Sequence, residues 1–195
     1  MSKPSPALPA RRLCLRTALA LPLLAWAADR ASAATGRQRG TAGTALYDWP
    51  FELTTLAGET VRLGHWRGRP AIVAMDHTGS AVICSDTSRR LRAVQAAADR
   101  LGRRLDFIVI SLDPAKDTPE GWKSYLKTVG LPDADWQFLR PSPADAEEIA
   151  RRLGVKHWRQ DGFLLHDVKI TRVDAQGRVV RTIEDYDRDT ERFLR

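Results

Sequence analysis

Gly68-Arg69-Pro70-Ala71-Ile72-Val73-Ala74-Met75-Asp76-His77-Thr78-Gly79-Ser80-Ala81-Val82-Ile83-Cys84 is the stretch on which the reading of this chain turns. Gly-Arg-Pro introduces Ala71 to Met75, a continuous apolar run of the kind that suits a central strand buried on both faces. From about Ser85 to Arg103 the period changes. Leu91, Val94, Ala98 and Leu101 recur at three- and four-residue intervals with arginines on the other face, which predicts a helix ended by Gly102. The polar segment between is therefore a strand-to-helix loop, and it carries Cys84. A thiol near a helix N-terminus is placed where the helix dipole favours the thiolate.

Outward from this loop the punctuation is regular. Upstream, Phe51-Glu52-Leu53 and Val61-Arg62-Leu63 alternate around Ala57-Gly58 and predict a small hairpin. Downstream, Leu105 to Leu112 reads as a second buried strand broken by Asp113-Pro114. Thr118-Pro119-Glu120 starts another helix, with Trp122, Tyr125, Leu126 and Val129 as its apolar stripe and Gly130 as its end. Phe138-Leu139 is a short strand, and Ser142 or Pro143 opens a third helix that Gly154 closes. Gly162 to Leu165 and Val168 to Val173 read as strands around His166-Asp167. Ala175-Gln176-Gly177-Arg178 turns into Val179-Val180, and a short helix runs from Asp189 onward. Alternating β and α elements followed by an antiparallel pair predict an α/β sheet with helices on both faces.

The 195 residues suffice for one domain and an export segment. Arg11, Arg12 and Arg16 precede an apolar run from Thr17 to Ala28, and Ala31-Ser32-Ala33 offers small residues for cleavage. Residues 1–33 thus read as a secretory signal, and Arg11-Arg12 loosely resembles a twin-arginine type, although paired arginines also occur in ordinary signals. The expected destination is the periplasm, with no transmembrane helix in the mature chain, because the apolar run is too short. Residues 34–46 read as a flexible tether and 47–195 as the folded domain. The signal holds five of the 31 basic and one of the 24 acidic side chains, so its removal lowers the net charge from +7 to +3. That small excess argues against a nucleic-acid partner. Cleavage also removes Cys14 and leaves Cys84 as the one cysteine, which points to a reactive thiol, a metal ligand or a buried inert side chain.

Several segments, in order, resemble the SCO/SenC family of thioredoxin-like copper chaperones. They are Phe51-Glu52-Leu53-Thr54 with Gly58 and Val61-Arg62-Leu63, then Gly68-Arg69-Pro70, then Ser111-Leu112-Asp113-Pro114-Ala115-Lys116-Asp117-Thr118-Pro119-Glu120, and last Leu165-His166-Asp167 with Ile170, Asp174 and Gly177. The Ser111–Glu120 segment is the most specific, since the family carries S-x-D-P-x-x-D-T-P-E there. The resemblance spans Phe51 to Val180. It implies a thioredoxin-like fold with a central mixed sheet, helices on both faces and an N-terminal β-hairpin. It implies copper as the metal and a cytochrome oxidase subunit or another copper protein as partner.

The family's site is C-x-x-x-C plus a histidine, a soft donor set suited to cuprous ion. On this resemblance Cys84 is the second cysteine and His166 the histidine, borne on a hairpin, while Ser80 stands at the first cysteine. Ala81 and Ser85 replace the prolines that follow the two cysteines. An internal disulfide at this site is then excluded. His77, where the family has an aromatic, could complete a set of Cys84, His166 and His77. The simpler reading of His77 is a polar loop residue. No catalytic residue is assigned. The expectation is a metallochaperone rather than an enzyme, the alternatives being a single-thiol oxidoreductase using Cys84 or a binding module without metal. Met75 is expected in the core, and His65 and His157 as ordinary histidines. Asp113-Pro114 reads as a turn and Asp117 or Thr118 as the cap of the next helix, Trp122, Trp136 and Trp158 as core or rim packing, and Arg89, Arg90 and Arg92 as a solvated helix face.

Overall fold

The computed structural model describes residues 45–79, 86–130, 136–184 and 189–195, all within one unit, Thr41–Arg195. The signal, most of the tether and the Ser80–Ser85 segment, including Cys84, lie outside the described residues. Chain order runs β1 (Leu53–Thr55), β2 (Thr60–Val61), β3 (Ala71–Asp76), α1 (Asp86–Arg100), β4 (Asp106–Ser111), α2 (Pro119–Val129), β5 (Trp136–Arg140) and α3 (Pro143–Leu153). It continues with β6 (His157–Gln160), β7 (Phe163–His166), β8 (Lys169–Val173), β9 (Val179–Glu184) and α4 (Thr190–Leu194).

Among the described residues, seven strands form one mixed sheet in the order β2-β1-β5-β4-β3-β8-β9. Strands β3, β4 and β5 are parallel neighbours, whereas β1 joins β5, and β8 joins β3, antiparallel. The apolar run predicted as a central strand is the middle of this sheet. All six residues of β3 are buried. Period-two alternation sends Ala71, Val73 and Met75 to a core beneath α3, and Ile72 and Ala74 to a core beneath α1, α2 and α4. Each large apolar side chain sealed in these layers contributes about 1.5–3 kcal/mol.

Helix ends follow the chemistry read from the sequence. The Thr118 side chain accepts from the Gly121 amide and caps α2, with Pro119 in the first turn; Ser142 does the same for α3 through Asp145 N. Gly130 and Gly154 close these helices in the left-handed region.

Three expectations need correction. Leu101 is exposed, because α1 stops at Arg100; Leu91, Val94, Ala97 and Ala98 form the buried stripe. Leu46, assigned to the tether, is buried, and its amide donates to the Gly177 carbonyl at 2.7 Å. Finally, β7 does not pair with β8. It pairs with β6 in a separate two-stranded sheet, with His157 opposite His166 and Gln160 opposite Phe163. Asp161 (φ 51°) and Gly162 (φ 82°) make the two-residue turn with positive φ at both positions that such hairpins require. Trp158 on this hairpin is about half exposed, unlike the buried Trp122 and Trp136.

Candidate functional site

Strand β3 ends on a charge. The alternation that turns Ile72 and Ala74 toward α2 also turns Asp76 that way, and its side chain is fully buried. An isolated carboxylate would be expelled from such a place. Asp76 stays because donors surround it. The Tyr125 hydroxyl of α2 donates to Oδ2 at 2.6 Å, and the His77 amide donates to Oδ1 at 2.8 Å. His166 Nε2 lies 3.3 Å from Oδ1. One carboxylate thus joins the central sheet, α2 and the β6–β7 hairpin.

The hairpin delivers His166 to this point. Its base is closed by the Asp167 amide donating to the Lys156 carbonyl at 3.0 Å and by the Lys156 amide donating to Asp167 Oδ1 at 2.9 Å. His166 Nδ1 then meets the Asp167 carbonyl oxygen at 2.9 Å. A carbonyl can only accept, so Nδ1 carries a proton. Nε2 faces the Asp76 carboxyl group, a contact that favours the protonated ring. Burial alone would lower the His166 pKa. The hydrogen bond and charge of Asp76, helped by Asp167, outweigh it and raise the pKa above its ordinary value.

His77 behaves oppositely. It is buried rather than a loop-surface residue, and its ring centroid lies 5.7 Å from that of His166 at an interplanar angle of 67°. Burial pushes its pKa down; the neighbouring His166 adds to this, and Asp76, Asp117 and the Leu164 backbone offset part of it. The backbone beyond His77 is pinned by Asp117. Its Oδ1 accepts from Thr78 N at 2.9 Å and Thr78 Oγ1 at 2.7 Å, while Oδ2 accepts from Ser111 Oγ at 2.5 Å. Asp117 therefore braces Thr78, directly after His77.

The structure brings His77 and His166 together at the C-terminal edge of the parallel strands, where open α/β sheets characteristically place ligands. Cys84, the third candidate, and Ser80 lie outside the described residues. Among the described residues, no three His, Cys, Asp or Glu side chains are arranged to hold a metal ion. Two adjacent imidazoles fit copper as a partial donor set, but Nε2 of His166 is engaged by Asp76. Met75 is buried in the core beneath α3. His65 packs edge-on against Trp66, and His157 pairs with Glu147 at 3.1 Å. A cavity of about 580 Å³ between Arg69, Gln95 and Arg103 lies at the opposite end of β3 and β4 and takes no part in the site.

Sequence reasoning missed Asp76 and the hydroxyl of Tyr125. A signal was present: an acid directly continues an apolar strand. The Asp161-Gly162 pair between Trp158 and Leu165 likewise signalled the β6–β7 hairpin.

The SCO1/SenC family model matches residues 39–195. The chain belongs to the SCO1/SenC family. No curated protein matches it. Solved structures of family members superpose well. BsSco, a member of the Sco family of cytochrome c oxidase assembly proteins, aligns with a TM-score of 0.67 at 20% identity, covering 75% of this chain and 88% of BsSco. Copper-bound ScoI of Arabidopsis thaliana gives 0.60 at 19% identity, covering 74% and 91%. Copper-bound ScoI of Bradyrhizobium japonicum gives 0.52 at 27% identity, covering 75% and 98%. This SCO1/SenC chain thus has the thioredoxin-like fold expected for it, with its mixed sheet and flanking helices.

Proposed function

We propose that this SCO1/SenC protein binds copper as cargo and serves as an exported, periplasmic metallochaperone in cytochrome oxidase assembly. Cys84 and His166 are the ligands, and His77 completes the set. The observation that carries the reading is the His77–His166 pair, 5.7 Å apart at the edge of β3, in a family whose relatives include copper-bound ScoI proteins. A thiolate and two imidazoles form a donor set of suitable softness. With Ser80 at the first cysteine position, the mature chain has no second thiol, so dithiol–disulfide cycling within the domain is outside its chemistry.

Titration of the mature chain with cuprous ion tests this. Binding at one ion per chain is expected, abolished by Cys84→Ser and weakened by His166→Ala and His77→Phe. Stoichiometric binding that survives Cys84→Ser would overturn the assignment. Export is checked by recovering the full chain from the periplasm with residues 1–33 removed.

A further inference from the structure

We infer that Arg103, Arg172 and Arg181 form a binding site for a small oxyanion of the phosphate class, at the end of the sheet away from the two histidines. Arg172 lies opposite Ile72, near the start of β3, whereas Asp76 ends that strand. The inference goes beyond the copper reading and does not depend on it.

Three observations carry it. First, the ladder sets two cations face to face. Arg172 of β8 and Arg181 of β9 are register partners. Alternation puts both on the side of Ile170 and Ile183, which pack with Phe193 and Leu194 of α4. Like charges directly opposite one another destabilise a sheet.

Second, a third guanidinium joins them. Arg103, just beyond α1, donates through Nη1 to the Leu194 carbonyl oxygen, and Arg172 Nη1 donates to the same oxygen at 2.9 Å. Arginines often cap the last carbonyls of a helix. One neutral oxygen takes a single donor from each guanidinium, however, and cancels no charge.

Third, no acid answers the three cations. Among the described residues none of them forms an ion pair, and the nearest acids in the chain are engaged elsewhere. Glu184 pairs with Lys169 at 3.0 Å, and Glu191 with Arg100 at 4.0 Å and Arg195 at 3.8 Å. Arg172 Nε is buried and has no hydrogen-bond partner among the described residues. Buried donors ordinarily have one. Burial, with Arg103 and Arg181 beside it, lowers the Arg172 pKa.

A phosphate-class oxyanion supplies what is lacking. It brings negative charge and several acceptor oxygens, which guanidinium forks arriving from α1, β8 and β9 match in geometry.

Thermal melts of the metal-free full chain at rising inorganic phosphate test the site, with ionic strength held by sodium chloride. The midpoint should climb along a saturating curve, the mark of a ligand that binds the folded state. Arg181→Gln, which alters an exposed side chain, should weaken the half-saturation point about tenfold, as loss of one charged hydrogen bond requires. Arg103→Gln should do the same. Arg62→Gln, which touches only the Glu52 pair, should leave it unchanged, and acetate should give no saturating rise. A rise that stays linear in phosphate, the general effect of an excluded salt, overturns the proposal. So does a saturating rise that both Arg181→Gln and Arg103→Gln retain, or one that acetate reproduces.

Discussion

The Tyr125 hydroxyl donates to Asp76 Oδ2 at 2.6 Å, joining the middle of α2 to the last residue of the central strand. Tyr125 is otherwise a core residue, edge-on to Trp122 with ring centroids 5.1 Å apart. Its ring stabilises the layer between α2 and the sheet, and its oxygen holds a buried charge in place.

Tyr125→Phe preserves the ring and removes one charged hydrogen bond. The expected cost is about 1.5–3 kcal/mol, seen as a lower urea midpoint with an unchanged slope.

Asp117→Ala should cost at least ~2 kcal/mol, because it strands the buried Ser111 hydroxyl and the partly buried donors of Thr78. Asp117→Asn, which retains an acceptor, should lose less. Chemical unfolding of both variants gives the comparison.

The two histidines should tilt the pH dependence of stability in opposite directions in metal-free protein. His166 has a raised folded pKa. Its contribution is fully present below the unfolded value of ~6.5 and is lost as pH rises through the folded pKa above it. His77 has a lowered folded pKa. Its neutral form is favoured on folding, so its contribution is present above ~6.5 and is lost as pH falls toward the folded pKa below it. His166→Asn should therefore flatten the decline of stability on the alkaline side, and His77→Phe the decline on the acidic side. Urea unfolding across pH ~4–9 (about two and a half units either side of ~6.5) separates the two.

Gly177→Ala should be strongly destabilising. Gly177 has φ of 80°, and an added Cβ would stand 2.5 Å from Tyr47 Cγ. Left-handed backbone alone costs an alanine roughly 1–2 kcal/mol, and the overlap adds to it. Thr118→Ala, which removes only a cap, should cost about 1 kcal/mol. Thermal melts of the two variants should differ clearly.

Most of the fold was legible because its signals are local. Ala71 to Met75 reads as a doubly buried strand from five consecutive apolar residues. Thr118, Pro119 and Gly130 bound α2, since caps and breakers act within one turn of the chain. The β6–β7 hairpin was misread because His166-Asp167 looks like a turn and β8 follows at once. Strand pairing is non-local, and β8 finds more apolar partners beside β3 than beside β7.

The sequence by itself determined the α/β order, the family and the identity of the candidate donors, since residue types and spacings are written in it. It also placed Asp76 beside His77. Only the tertiary structure decided that His77 and His166, 89 positions apart in the numbering, have rings 5.7 Å apart. It alone decided that Asp76 takes up the Nε2 of His166 with Tyr125 behind it. The physical reason is burial. A carboxylate at the end of a hydrophobic strand must recruit donors from whatever packs against it, and what packs there is set by the assembly of sheet, helix and hairpin.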